Sequence, residues 1–235
     1  MSGTVLRELR EARERAPFPP GAGGHKAVPS PGLLSAHLPY HERSEQIRLL
    51  RTELMLRHDM ADSANVVAVV SAHPCEGRSQ LAAELAISFS QLGQPTLLVD
   101  ADLRAPNQHA LFGADNDTGL ADALARESTP MLQPVAGLRA LSLLTAGPTP
   151  PNALELLSDR WFEEMLAEWR SSFQFVVLDT PPIARYADAL AVATVTGRVL
   201  TVCRATRTAF RDTRDMTRRL CATRARTLGA VINHF

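Results

Sequence analysis

Apolar positions change their rhythm near residue 66. Beyond it, short runs of β-branched and aliphatic residues alternate with amphipathic stretches. Six runs predict strands: 66–71 (VVAVVS), 95–100 (PTLLVD), 138–144 (LRALSLL), 173–179 (FQFVVLD), 198–204 (RVLTVCR) and 228–233 (LGAVIN). They are continuously apolar rather than alternating, which predicts a sheet covered on both faces. Helices are predicted between them over 79–92, 118–126, 152–170, 186–195 and 208–223. Strands separated by helices imply βαβ units and therefore an α/β fold with a doubly wound, mostly parallel sheet.

Upstream the pattern is sparser. Residues 4–15 place Leu6 and Leu9 on one side of a short amphipathic helix, and APFPPGAGGHKAVPSPG follows. Proline and glycine at that density bury little, so residues 1–30 read as a flexible tail and linker and 31–235 as the domain. Ser44 is placed to N-cap a helix through EQIRLLRTELMLR, where Ile47, Leu50, Leu54 and Leu56 recur near helical spacing.

Composition narrows the partners. The 235 residues are 45% apolar, enough for a buried core, and 25 Lys+Arg balance 25 Asp+Glu. That balance gives no reason to expect nucleic acid or an anionic membrane as the main partner. Cys75, Cys203 and Cys221 lack metal-ligand spacing and read as reduced thiols of a cytoplasmic protein. No apolar run reaches the ~20 residues of a membrane span. The charged start MSGTVLRELREARER lacks the apolar core of a secretory signal. Direct membrane insertion is not expected, and recruitment to a membrane would go through a partner. Lys26 is the single lysine; every other basic residue is arginine.

The stretch VVAVVSAHPCEGRSQLAAELA reads strand, loop, helix. Its loop, Ala72-x-x-x-x-Gly77-Arg78-Ser79, has the spacing of a phosphate-binding loop. Such a loop wraps backbone N–H groups around phosphates, and the helix behind it adds its positive N-terminus. Ala72, Pro74, Cys75, Glu76, Gly77, Arg78, Ser79 and Gln80 are the expected nucleotide contacts, and the Ser79 hydroxyl is an expected Mg²⁺ ligand. Arg78 stands where lysine is usual. A forked guanidinium pairs with phosphate but does not reproduce the geometry of a compact ammonium. Cys75 occupies a position that glycine would tolerate more easily.

Two further strands end on carboxylates: LLVDADLR supplies Asp100 and Asp102, and VVLDTPP supplies Asp179. Ligands of parallel sheets bind at the carboxyl ends of strands, so all three should converge on the loop. Asp100 and Asp179 are assigned to Mg²⁺ and water positioning. Asp102 would orient or deprotonate an attacking group. Arg78 and these three aspartates form the expected catalytic set.

In this order and spacing, the motifs resemble the bacterial tyrosine kinases, P-loop autokinases of capsule and exopolysaccharide synthesis within the Min/Par-like group. The resemblance covers most of residues 40–235, including TGLADAL, AGPTPPNALELL and DTPPIARYADAL. It implies ATP and Mg²⁺ as cofactors. It also implies a homo-oligomer built through Glu45-x-x-Arg48-x-x-Arg51, and a separate inner-membrane chain-length regulator whose cytosolic tail is the partner. Asn233 in GAVIN matches an adenine-contacting Asn of related ATPases, with Arg204 the weaker base-pocket candidate.

The chain departs from that family in two respects. Arg78 replaces the loop lysine, and the only tyrosines are Tyr40 and Tyr186, with no C-terminal tyrosine cluster before Phe235. Three functions follow in order: a kinase-family ATPase of polysaccharide export, a pseudokinase acting as a nucleotide-gated assembly module, and a Min- or Par-type positioning ATPase. The third ranks last because the loop contains no lysine.

Overall fold

The computed structural model describes residues 26–56 and 65–234. Seven strands form one sheet: β1 (Asn65–Ser71), β2 (Thr96–Asp100), β3 (Gln133–Val135), β4 (Leu138–Leu144), β5 (Phe175–Asp179), β6 (Arg198–Arg204) and β7 (Arg226–Asn233). Their order is β3-β4-β2-β5-β1-β6-β7, and every pair is parallel except β3 with β4. The helices are α1 (Leu34–His37), α2 (Glu42–Leu56), α3 (Arg78–Ser90), α4 (Gln108–Leu111), α5 (Leu120–Ala125), α6 (Ala153–Leu157), α7 (Arg160–Ser172), α8 (Asp188–Thr196) and α9 (Phe210–Cys221). The doubly wound, mostly parallel α/β fold is the one that the apolar pattern predicts.

β1 shows why its run is continuously apolar. Val66, Ala68 and Val70 enter a core with Leu157, Phe162 and Trp169 of α6 and α7. Val67 and Val69 enter the opposite core with Leu81, Leu85 and Phe89 of α3. Alternate residues of a strand face opposite sides, so helices on both faces demand apolar residues at every position. Phe89 also stacks on Phe175 of β5, ring centroids 4.1 Å apart. This packing, from Leu81 to Phe89, holds α3 along its length against the central strands.

Several expectations need correction. The helix expected over 152–170 is two helices, because the Asp159 side chain accepts from Trp161 N at 2.8 Å and starts a new one. Ser44 is not an N-cap: α2 begins at Glu42, Arg43 N donates to the His41 ring, and Ser44 Oγ donates to Leu38 O. β7 is not covered on both faces; it is an edge strand of mixed burial with Ile232 exposed. β3, α1 and α4 are too short to show a period and were not expected.

The N-terminal boundary also moves. The helix expected over 4–15 and the linker to residue 25 lie outside the described residues. From Ala27 on, the presumed linker is docked. Ala27 N donates to Pro134 O, Ala136 N to Ala27 O, and Val28 N to Phe112 O. Backbone pairing needs no apolar side chains, which is why a Pro- and Gly-rich stretch can still be held.

Candidate functional site

β1 ends at Ser71 and α3 starts at Arg78, so the loop between them sits at the carboxyl edge of the sheet. Two residues turn it with positive φ: Cys75 at +62° and Gly77 at +84°. Glycine accepts that conformation freely, whereas cysteine does so at a cost. The loop is tied down from within and from β7. The buried Glu76 carboxylate accepts from His73 N at 2.9 Å and from the Thr208 hydroxyl. Asn233 Nδ2 donates to Glu76 O at 2.8 Å.

A cavity of about 530 Å³ opens over the loop. Pro74 through Gln80 form one wall, with Asp102, Asn107, Tyr186 and Arg204 on the others. Its size suits a nucleotide-sized ligand. Of the expected contacts, Ala72 is buried behind the loop. Asn233, bonded to the Glu76 carbonyl, lies outside the cavity lining. Arg204 borders the cavity, 3.5 Å from Cys75 O.

The expected acidic residues do converge. Asp100 and Asp179 are register partners on β2 and β5. Arg78 joins them in a way that the motif does not foretell. It is buried, and its fork spans three acceptors: Nε to Asp179 Oδ1 at 3.2 Å, Nη1 to Ser71 Oγ at 2.8 Å, and Nη2 to Asp102 Oδ2 at 2.9 Å. The guanidinium thus pairs with Asp102 and Asp179 but not with Asp100.

Asp100 is fully buried. It accepts from Asp102 N, Asn107 N and Gln108 N at 3.2, 3.0 and 2.8 Å. Burial first, and then the Asp179 charge, push its carboxyl well above the ordinary 3.8. Burial also raises Asp102, opposed by the Arg78 charge.

Of the ligands expected for Mg²⁺, Ser79 borders the cavity, whereas the Asp100 and Asp179 carboxylates are engaged by the protein's own donors. All six carboxylate oxygens of the three aspartates already accept from protein donors. The remaining two are Asp102 Oδ1, bonded to Arg104 N and Ala105 N, and Asp179 Oδ2, bonded to Gln108 Nε2 at 2.8 Å. Among the described residues, no group of three or more His, Cys, Asp or Glu is arranged to hold a metal ion.

On α2, Arg48 Nη2 pairs with Glu45 at 2.8 Å and Arg51 Nη1 donates to Ser88 O of α3. Both arginines are therefore engaged within the chain. Glu45, Leu49, Thr52 and Leu56 form an exposed row. Tyr186 precedes α8, half-buried under Arg104, whose guanidinium lies 5.0 Å from the ring centroid and pairs with Asp188 at 2.9 and 3.2 Å. Tyr40, by contrast, is exposed ahead of α2.

Sequence reasoning missed Gln108, whose amide joins Ser79 O to Asp179. It missed Thr208 as the tie on Glu76 and Arg104 as the clasp on α8. No motif flagged the two polar residues; the signal for Arg104 was its place in the acidic motif DADLR.

Comparison with known proteins identifies the fold and family. Residues 62–234 match the ParA family model, described as a NUBPL iron-transfer P-loop NTPase. The chain is 36% identical over 192 residues to tyrosine-protein kinase YwqD of Bacillus subtilis (strain 168), covering 81% of this chain and 80% of that protein. The crystal structure of the chimerical protein CapA2B2 superposes with a TM-score of 0.81 at 29% identity, covering 95% of this chain and 97% of the other. The kinase domain of the Escherichia coli tyrosine kinase ETK superposes with a TM-score of 0.81 at 27% identity, covering 100% of this chain and 86% of the other.

Proposed function

The chain belongs to the bacterial tyrosine-kinase family of P-loop NTPases, and from that membership we propose that it binds ATP in the cavity above Ala72 to Ser79 and acts in capsule or exopolysaccharide synthesis. The observation that carries the reading is the cavity itself, walled by the loop and by Asp102 at the carboxyl edge of the sheet. Its partner is an inner-membrane chain-length regulator, reached through that protein's cytosolic tail. This role places the chain in the cytoplasm and at the inner membrane only when recruited. Among the described residues no helix is long and apolar enough to cross a membrane. The exposed row on α2, with Leu49 and Leu56 beside Glu45, supports self-association.

Cys75 provides a direct test, because it is exposed and borders the cavity. Bound ATP should slow its alkylation by iodoacetamide, read by peptide mass spectrometry, while Cys221 keeps its rate. Equal Cys75 rates with and without ATP would remove the nucleotide reading.

A second reading, a pseudokinase that gates assembly without phosphoryl transfer, has its own support. Arg78 holds Asp102 Oδ2, and two backbone N–H groups hold Oδ1, so this carboxylate is engaged rather than open to a substrate hydroxyl. Under this reading wild type forms no phosphotyrosine with ATP, magnesium and the partner tail. Robust turnover that Asp102→Asn abolishes would instead establish the kinase.

A further inference from the structure

We infer that the Arg78 guanidinium stands in for the divalent ion of this site, so that the chain binds a nucleoside triphosphate without magnesium. The inference rests on the nucleotide reading above and specifies how the site neutralises phosphate.

A metal ion at a phosphate loop has two tasks: it satisfies strand-end carboxylates on one side and phosphate oxygens on the other. Arg78 already performs the first. Its Nε and Nη2 lie 3.2 and 2.9 Å from Asp179 and Asp102, with Ser71 Oγ as the third acceptor at 2.8 Å. The other carboxylate oxygens are held by donors that cannot easily leave. Gln108 Nε2 is itself anchored to Ser79 O, and the rest are backbone N–H groups of the β2–α4 connection. A divalent ion that took Asp102 Oδ2 or Asp179 Oδ1 as a direct ligand in the present geometry would compete with the guanidinium for that oxygen.

The second task needs spare donors. A guanidinium has five N–H groups, and three are used in these bonds. The two unused ones, one on Nη1 and one on Nη2, belong to a residue that lines the cavity with 8% of its side chain exposed. Arg78 can therefore bridge carboxylate and phosphate at once. A lysine ammonium carries its donors on a single atom and cannot span Asp179, Ser71 and Asp102 together. Arginine at this position is thus suited to a site that works without the metal.

Calorimetric titration of the full chain with ATP, once in magnesium and once in excess EDTA, tests this. Wild-type dissociation constants should agree within about threefold. Arg78→Lys frees carboxylate oxygens and should bind at least about tenfold tighter with magnesium than without. Wild-type binding that weakens about tenfold or more in EDTA overturns the inference and leaves the nucleotide reading intact. No heat, and no protection of Cys75 from alkylation in either buffer, overturns the nucleotide reading and the inference with it. Should Arg78→Lys fail to fold, the wild-type pair decides alone. Protection of Cys75 at the same ATP concentration in both buffers is the independent confirmation.

Discussion

Replacing Arg78 with methionine keeps a side chain of comparable length and removes the charge. In the native chain the guanidinium sits between two carboxylates that are themselves buried, Asp102 and Asp179. Without it they face each other in a poorly solvated space, with Asp100 beside them. Breaking a buried pair by removing one partner costs about 3–5 kcal/mol, chiefly because the remaining charge has no compensation. For a domain of this length that lowers Tm by roughly 6–20 °C. Urea unfolding and thermal melting of wild type and Arg78→Met measure it directly. The cause is separated from lost packing by a cycle with Asp179→Asn, which removes the charge left behind. The double variant should recover part of the loss, with a coupling of about 1–3 kcal/mol. A loss under about 1 kcal/mol, or additive effects in the cycle, would refute the view that Arg78 neutralises this cluster.

Three further outcomes follow from other parts of the fold. Asp100 holds its proton more tightly folded than unfolded, so the stability this confers is complete below the ordinary 3.8 and is lost as pH rises through the raised value. Asp100→Asn should therefore flatten the fall of Tm with rising pH, and parallel curves would contradict the assignment. In Gly119→Ala the new Cβ would stand 2.2 Å from Gly147 N and 2.3 Å from Thr145 O, both backbone. Chemical denaturation should show a loss of about 3 kcal/mol; a neutral variant would mean that the 145–147 segment yields freely. Cys75→Gly relieves a left-handed cysteine and should gain about 0.5–1 kcal/mol in the same assay, whereas a loss would show that the Cys75 side chain itself holds the loop.

The central strands were legible because burial on two faces leaves a mark at every position. β1, β2 and β5 carry unbroken apolar runs (VVAVV, LLV and FVVL), and Asp100 and Asp179 directly follow the last two. Convergence of Asp100, Asp102 and Asp179 on the loop was readable for the same reason. The break at Asp159 was not, since the apolar spacing continues across it and only one side-chain bond to Trp161 decides it. β3 exists through its pairing with β4 and Ala27, contacts that no local pattern records. Motif spacing located Arg78 at the head of α3 but left open whether it would reach outward to the cavity or inward. Acceptors 24 and 101 residues away in the chain, Asp102 and Asp179, drew it inward. Gln108 was invisible because one polar residue in a loop carries no signal until the fold places it against Asp179.

The most direct measurement is a crystal structure of the full chain with a non-hydrolysable ATP analogue, grown in magnesium. Arg78 should keep Nε and Nη2 at about 3 Å from Asp179 and Asp102, with no cation on either carboxylate and the analogue's phosphates against the loop. A guanidinium swung out toward the phosphates, with a metal ion in its place between the two aspartates, would contradict the inward role assigned to Arg78.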